Sequence, residues 1–194
     1  MRYRTAIACA LFSGLRLSEL LGLTWGDIDL GDRVLKVRYQ LSRQGERVAL
    51  KTLAARRDVI LMSQLARELE GMRVSACFSD DRDLVFSATS GQTIGHRNIT
   101  GRGLAKATTG AGVEGVTFHA LRHTFASILI AQGRDPVFVS RQLGHTNAAI
   151  TLRVYAHLFG APRVIGGDRS PGFPFDAAVL DAVGLAVRRA RVAT

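Results

Sequence analysis

Cysteine, lysine and long apolar runs are all scarce in this chain of 194 residues. Its two cysteines, Cys9 and Cys77, lie far apart and form no CxxC pair. A disulfide framework and a structural zinc site are therefore excluded as organising features, and we expect a cytoplasmic protein, because the cytoplasm keeps thiols reduced. No run reaches 18 apolar residues, so the sequence predicts no membrane-spanning helix.

Positive charge is carried almost entirely by arginine. Lysine and arginine together number 26 against 16 acidic residues, a formal net charge of +10, and only three of the 26 are lysines. A guanidinium group can bind phosphate through two parallel hydrogen bonds, which an ammonium group cannot do. This balance favours a nucleic-acid partner over the alternative of a soluble protein that is merely basic.

Hydrophobic periodicity divides the chain into helical segments around a short region of strands. Apolar spacing predicts helices over 5–23 with a break at Ser13-Gly14, from 63 onward, over 98–109, over 118–131, over 136–143 and through Tyr155. Alternating residues predict strands over 34–39, 48–50 and 58–61, which together make a small three-stranded antiparallel sheet. The predicted fold class is therefore α+β and mostly helical.

The composition changes after His157. Residues 160–174 contain four glycines and three prolines, which is typical of a linker. Residues 177–191 have apolar side chains at helical spacing, with aspartate early and arginine late, as a helix dipole favours. We therefore expect one domain over 1–158, followed over 159–194 by a linker and an amphipathic C-terminal helix.

A basic cluster opens the helix predicted over 118–131. His119 and Arg122 follow the predicted N-cap Thr117, so they share one face of the first turn, at a helix end that favours anions. This placement favours a phosphate pocket, with ordinary core or surface histidines as the alternative. His119 and His123 also have the spacing of a zinc protease helix, but Ala120 replaces the glutamate that serves as base there.

A second hypothesis of a metal site involves more of the histidines. Together, His119, His123, His145 and His157 could form a metal cluster without catalytic function. This stays a minor alternative, and the sequence predicts no metal site and no cofactor.

Four separated motifs follow one another along the chain. They are SGLRLSEL at 13–20, KTLAARRDVIL at 51–61, HALRH at 119–123 and LGHTNAAITLRVYAH at 143–157. In this order they resemble the tyrosine recombinase (phage integrase) family over roughly residues 5–158. The resemblance implies a tyrosine recombinase catalytic domain that acts on double-stranded DNA, without metal or ATP, in site-specific recombination.

The resemblance also implies a role for each matching residue. Arg16 and Arg122 would clamp the scissile phosphate, and Tyr155 would attack it to form a 3′-phosphotyrosyl intermediate. The family's lysine, its two histidine positions and the acid that supports the first arginine fall on Lys51, His119, His145 and Glu19.

These residue types suit that chemistry on physical grounds. A free tyrosine has a pKa near ~10, so only about 0.1% is phenolate at pH 7. Two guanidinium groups can neutralise the phosphate, and a nearby imidazole can take the phenol proton. The leaving 5′ oxygen needs a proton, which Lys51 on its hairpin could supply.

Three further arginines are candidate DNA contacts. Arg56 and Arg57 are expected to contact the DNA backbone or to pack the hairpin, and Arg153 to lie in solvent or against DNA. Two further expectations come from the resemblance: a homo-oligomer assembled on DNA, and an absent N-terminal core-binding domain, because the chain begins almost at the first motif. The sequence leaves two functions open: an active recombinase, or a truncated or decayed integrase that acts only as a DNA-binding module.

Overall fold

The computed structural model describes residues 2–113 and 115–159. The predicted linker and C-terminal helix beyond Phe159 lie outside this part of the chain. Within the two described ranges, no helix combines the length and the apolar character needed to cross a bilayer.

Helices make up most of the regular structure. The α-helices are α1 Arg2–Ser13, α2 Leu17–Leu21, α3 Ser63–Val74, α4 Lys106–Gly110, α5 Phe118–Ala131, α6 Pro136–Leu143 and α7 Ala148–Phe159. The strands are β1 Ile28–Asp29, β2 Val34–Val37, β3 Tyr39–Leu41, β4 Arg47–Ala49 and β5 Arg57–Ile60. A short 3-10 helix at Trp25–Asp27 precedes β1. The predicted α+β, mostly helical class is thus confirmed.

In the part of the chain that the structure describes, the strands form two separate antiparallel units. A three-stranded sheet has the order β1-β2-β5, and β3 pairs only with β4 in a two-stranded ribbon. The prediction that residues 48–50 supply the third strand was wrong, because the strand expected over 34–39 is interrupted at Arg38. The chain after Arg38 folds back on itself through a tight turn in which the Ser42 amide donates to the Glu46 carbonyl oxygen. The short strand β1 takes the third place instead.

Helix α5 lies at the centre of the packing. Helices α1, α6 and α7 all contact it, and it buries Leu121, Phe125 and Leu129 at intervals of four residues. This packing places the first turns of α5 beside the C-terminal ends of α1 and α6.

Helices α5 and α6 begin and end at the capping residues that the sequence predicts. The Thr117 hydroxyl accepts from the Ala120 amide at the start of α5. Asp135 caps α6 in the same way, with Pro136 at the first helical position. Gly144 ends α6 in the left-handed conformation, with φ of 65°.

The helix predicted over 98–109 has two parts. Asn98–Ala105 is a π-helix, and α4 continues it. The π-helix lies close to α1 at Gly103, since a Cβ on this glycine would lie 3.1 Å from the Tyr3 ring. Glycine at this position therefore lets the segment pack against α1.

Gly14, which follows α1, provides a test of this packing. Its φ is +62°, and an added Cβ would lie 2.4 Å from Phe125 Cδ1. We expect Gly14→Ala to lower the free energy of unfolding by about 2–5 kcal/mol, roughly 1–2 from left-handed strain and roughly 1–3 from overpacking. Denaturant unfolding at constant m measures the loss.

Two other glycines serve as controls. Gly112 has φ of +72° with open space around it, so Gly112→Ala should cost only the strain, about 1–2 kcal/mol. Gly71 lies within α3 with nothing near it, so Gly71→Ala should stabilise by about 0.5–1 kcal/mol. Equal losses for Gly14→Ala and Gly112→Ala would contradict the proposed clash with Phe125.

Candidate active site

Arg122 is held by the ends of two helices. It lies in the second turn of α5 and is 5% exposed. Its guanidinium donates to the carbonyl oxygen of Gly14 at 2.5 Å and to that of Leu143. These carbonyls lie at the C-terminal ends of α1 and α6, where the helix dipole places partial negative charge. Burial, followed by the positive charges of Arg16 and Arg57, lowers the pKa of Arg122 to about 9, so the group stays charged at pH 7.

Arg16 reaches the same point from the start of α2. Its guanidinium donates to Glu19 Oε1 at 2.7 Å and to the Gly144 carbonyl oxygen at 3.5 Å. The preceding carbonyl, that of Leu143, binds Arg122. Two guanidinium groups therefore meet at consecutive peptide units. The Arg16 side chain is 42% exposed, so part of it can bind an anion from solution.

The Glu19 carboxylate is fully buried between two arginines. Arg57 donates to it through both terminal nitrogens, at 3.2 and 2.8 Å, and the Arg16 amide donates at 2.9 Å. Burial raises the pKa of the Glu19 carboxyl, but the hydrogen bonds and charges of Arg57, and then those of Arg16, outweigh it and hold the pKa below its ordinary value. We call Arg16, Glu19, Arg57 and Arg122 the arginine corner.

Arg57 packs inside the protein, which corrects the expectation that it contacts DNA. It is 7% exposed. Its Nε donates to the Gln142 carbonyl oxygen at 2.7 Å, which ties β5 to the end of α6. A Cβ on Gly144 would lie 3.0 Å from Arg57 Nη1, so glycine at 144 leaves room for this guanidinium. Of the two roles that the sequence left open for Arg57, the structure shows packing.

His145 lies in the turn between α6 and α7. Its Nδ1 is hydrogen-bonded to Thr151 Oγ1 at 2.9 Å, and Thr151 is fully buried in α7. Burial, followed by the charges of Arg122 and Arg16, lowers the pKa of His145 to about 4, so the imidazole is neutral at pH 7. Because Thr151 holds Nδ1, Nε2 is the nitrogen that can contact a ligand.

Tyr155 lies one helical turn after Thr151 and is 4% exposed. Its hydroxyl oxygen is 2.6 Å from Nδ1 of His123. The His123 ring meets the ring of His119 edge to face, with centroids 4.4 Å apart. Burial raises the pKa of Tyr155, and the charge of Arg122 offsets only part of this. A buried phenol therefore lies within electrostatic reach of the arginine corner.

The other predicted site residues lie on the surface. Lys51 is exposed and makes no hydrogen bond or ion pair with the described part of the chain, so the structure does not bring it to the arginine corner. Arg153 is exposed on α7. Arg56 is exposed and lines a cleft together with Arg141 and His145.

This arrangement suits a tetrahedral anion beside a nucleophile. Arg16 and Arg57 form ion pairs with Glu19, and Arg122 lies within reach of its charge. Three guanidinium groups beside one carboxylate leave the arginine corner positive. The exposed edge of Arg16 can donate to an anion, and so can Nε2 of His145 when Nδ1 accepts from the Thr151 hydroxyl. The Tyr155 hydroxyl is close by. Among the described residues, no three His, Cys, Asp or Glu side chains are grouped so that they could hold a metal ion.

Comparison with known proteins identifies the family. The phage integrase family matches residues 1–161. The chain belongs to this family. The resemblance drawn from the four motifs is thus confirmed.

Curated relatives include recombinases and integrases. The tyrosine recombinase XerC of Thermodesulfovibrio yellowstonii is 33% identical over 148 residues, which cover 75% of this integrase-family chain and 46% of that protein. The integrase of Salmonella phage P22 is 30% identical over 157 residues, 80% of this chain and 39% of that one. The chain spans about half the length, or less, of these relatives.

Solved structures share the fold. The Tn1549 transposon integrase in complex with a circular intermediate DNA has a TM-score of 0.65 and 27% identity, and the match covers 79% of this chain and 54% of that one. XerH recombinase bound to a palindromic difH substrate has a TM-score of 0.62 at 23% identity, covering 82% and 43% of the two chains. The second likeness shows the fold alone.

The structure brings together most of the residues that the family motifs indicate. Arg16, Glu19 and Arg122 meet in the arginine corner, with His145 and Tyr155 beside it. His119 lies at the edge of this group, in contact with His123.

Sequence reasoning missed three contacts. They are His123 with Tyr155, Thr151 with His145 and Arg57 with Glu19. Only Thr151 could have been found from the local sequence. It lies four positions before Tyr155, so the two residues share one face of the helix. The other two pairs join elements far apart in the chain.

The buried Glu19 carboxylate makes stability depend on pH. Its pKa is lower in the folded chain than its ordinary value of 4.5, so its contribution is complete above that value and is lost as the pH falls through the folded pKa. We expect Glu19→Gln to cost about 3–5 kcal/mol at pH 7, because it leaves Arg57 buried without a charge partner. Between pH 5 and pH 3 the variant should also lose less stability than the parent.

The matched control is Glu70→Gln on the exposed face of α3. It should change the free energy of unfolding by no more than about 0.5 kcal/mol. The free energy of unfolding is measured by denaturant unfolding at each pH. If it falls with pH equally in the parent and in Glu19→Gln, then Glu19 is not the group that makes stability depend on pH.

Proposed function

We propose that this chain cleaves and rejoins DNA strands in site-specific recombination, with Tyr155 as nucleophile and a 3′-phosphotyrosyl ester as intermediate. The observation that carries the proposal is the meeting of Arg16 and Arg122 at the consecutive carbonyls of Gly144 and Leu143, beside the buried Tyr155 hydroxyl. Relatives named recombinase and integrase, and the DNA in the Tn1549 complex, support this reading.

The proposal assigns phosphate binding to the arginine corner. The exposed edge of Arg16 and the guanidinium of Arg122 bind the non-bridging oxygens of the scissile phosphate, and His145 adds a neutral donor through Nε2. His119, exposed at the rim of this group, is a further donor. Such donors stabilise the charge that develops on the oxygens in the transition state. Because helix ends and Glu19 already orient both guanidiniums, little reorganisation is needed when DNA binds.

Strand cleavage exchanges one phosphoester for another. The Tyr155 oxygen forms a bond to phosphorus, the bond to the 5′ oxygen breaks, and that oxygen takes up a proton, which we assign to Lys51. The ester energy is conserved in the protein–DNA bond, so rejoining reverses the step without ATP. The arginine corner supplies positive charge at the phosphate, and we expect no metal or cofactor to be needed.

Double-stranded DNA is the proposed partner. Arg56 and Arg153 are exposed, and Arg56 lines the cleft that leads to His145. We assign these two side chains to contacts with phosphates of the DNA backbone. A homo-oligomer assembled on DNA and a cytoplasmic location remain predictions from the sequence.

The first test is covalent attachment to DNA. A pool of nicked duplexes of random sequence, labelled at the 5′ end of the cleaved strand, traps the adduct because the short fragment beyond the cut diffuses away. We expect an SDS-resistant protein–DNA adduct with the parent chain and none with Tyr155→Phe, which keeps the packed ring but lacks the attacking oxygen.

Tyr39→Phe is the matched control, since Tyr39 lies 39% exposed in the ribbon. It should form the adduct at the parental rate. DNA binding without any adduct from the parent would favour the alternative that the chain is only a DNA-binding module.

The second test concerns Lys51. With a duplex recovered from that pool, Lys51→Ala should cleave about 10²–10⁴ times more slowly than the parent, the usual effect of losing a proton donor. A substrate with sulfur at the 5′ bridging position leaves without a proton, so it should restore the rate of Lys51→Ala. Arg16→Ala should not be restored, because it loses charge stabilisation instead. Equal restoration of both variants, or of neither, would remove Lys51 from the role of acid.

A further inference from the structure

The Tyr155 hydroxyl has one hydrogen-bond partner among the described residues, and it is His123. The oxygen lies 2.6 Å from Nδ1, a distance typical of a strong O–H···N contact. The two residues come from α5 and α7, which pack against each other. The contact therefore depends on the tertiary structure and not on a local turn.

The other imidazoles near the site are engaged differently. Nδ1 of His145 is bound to Thr151. His119 is exposed, and its ring contacts His123 rather than the phenol. Of the three histidines around the arginine corner, only His123 touches the atom that would attack phosphorus.

We propose that His123 is the general base that accepts the Tyr155 proton during strand cleavage and returns it during rejoining. The inference rests on the proposed function. As the Tyr155 oxygen bonds to phosphorus, its O–H bond breaks and an N–H bond forms at Nδ1 of His123. The 5′ oxygen leaves with a proton from Lys51, and the reverse step moves both protons back. No oxidant, metal or further reactant is involved.

The electrostatics explain why this transfer waits for DNA. Burial raises the pKa of Tyr155. Burial, followed by the charges of His119 and Arg122, lowers the pKa of His123. The proton therefore stays on the phenol in the free protein. A phosphate bound to the arginine corner brings negative charge that stabilises an imidazolium, and bond formation to phosphorus makes the phenol strongly acidic.

The pH dependence follows from the same groups. The titratable and charged groups that surround His123 are His119 and Arg122 on α5, Tyr155 on α7 and His145 in the turn before α7. A protonated His123 cannot accept the phenol proton. The rate of adduct formation should therefore fall at acid pH. This acid limb of the pH–rate profile should reflect the protonation of His123.

The experiment measures single-turnover adduct formation from pH 5 to pH 8 with the nicked duplex. His123→Asn places an amide oxygen near the position of Nδ1, so it keeps an acceptor but removes the basicity. We expect its rate to fall about 10²–10⁴-fold at pH 7 and its acid limb to disappear. His96→Asn is the matched control: His96 is exposed, its side chain makes no hydrogen bond, ion pair or ring contact with the described residues, and the variant should match the parent.

His119→Asn separates the two neighbouring histidines. It should keep the acid limb, because His123 is intact. If His119→Asn loses the limb while His123→Asn keeps it, the base is His119 and the proposal is wrong. A His123→Asn variant as fast as the parent, or faster, would also overturn it and would indicate that His123 merely restrains the tyrosine.

A second measurement does not depend on activity or on the stability of His123→Asn. The ¹⁵N chemical shifts of His123 in the parent chain report which ring nitrogen carries the proton. At pH 7 we expect an unprotonated Nδ1 whose shift changes in Tyr155→Phe. A protonated Nδ1 would mean that His123 donates to the phenol oxygen, and it would exclude the role of base.

The outcomes distinguish this inference from the function on which it rests. If the parent forms no adduct, the proposed function fails. If the parent forms the adduct, Tyr155→Phe does not, and His123→Asn keeps both rate and acid limb, then only the role of His123 fails.

Discussion

The buried Glu19 carboxylate is the interaction on which the site depends. Arg16 and Arg57 both bind it, and Arg122 lies close enough for their charges to lower its pKa. Without this carboxylate, three guanidinium groups would repel one another in a region shielded from water. With it, the arginine corner retains a positive charge that a phosphate can neutralise. The same residue thus stabilises the fold and sets the charge of the candidate site.

Helix ends provide the second constraint. Arg122 donates to carbonyl groups that α1 and α6 leave without intrahelical partners. Glycine follows each helix at positions 14 and 144, where φ is positive; a side chain would collide with Phe125 at position 14 and crowd Arg57 at position 144. The packing of three helices therefore fixes the direction of one guanidinium. A DNA phosphate would meet donors that are already oriented.

Much of the fold was accessible from local patterns. The caps at Thr117 and Asp135 and the stop at Gly144 are where the sequence places them, because capping depends on a few neighbouring residues. Strand pairing was less accessible. The sequence identifies the segment 48–50 as extended, but whether it joins the sheet or a separate ribbon depends on the interruption at Arg38. The π-helix of Asn98–Ala105 likewise has no sequence signal that distinguishes it from an α-helix.

By itself, the sequence determined the family and the identity of most candidate site residues, since motifs preserve residue type and order. Only the tertiary structure decided what each side chain touches. Arg57 turned out to bind Glu19 rather than face DNA, and His123, which no motif role covered, lies on the Tyr155 hydroxyl. The physical reason is that burial and hydrogen-bond partners arise from elements distant in sequence. Whether an arginine meets solvent or a carboxylate therefore depends on how β5, α2 and α6 pack together.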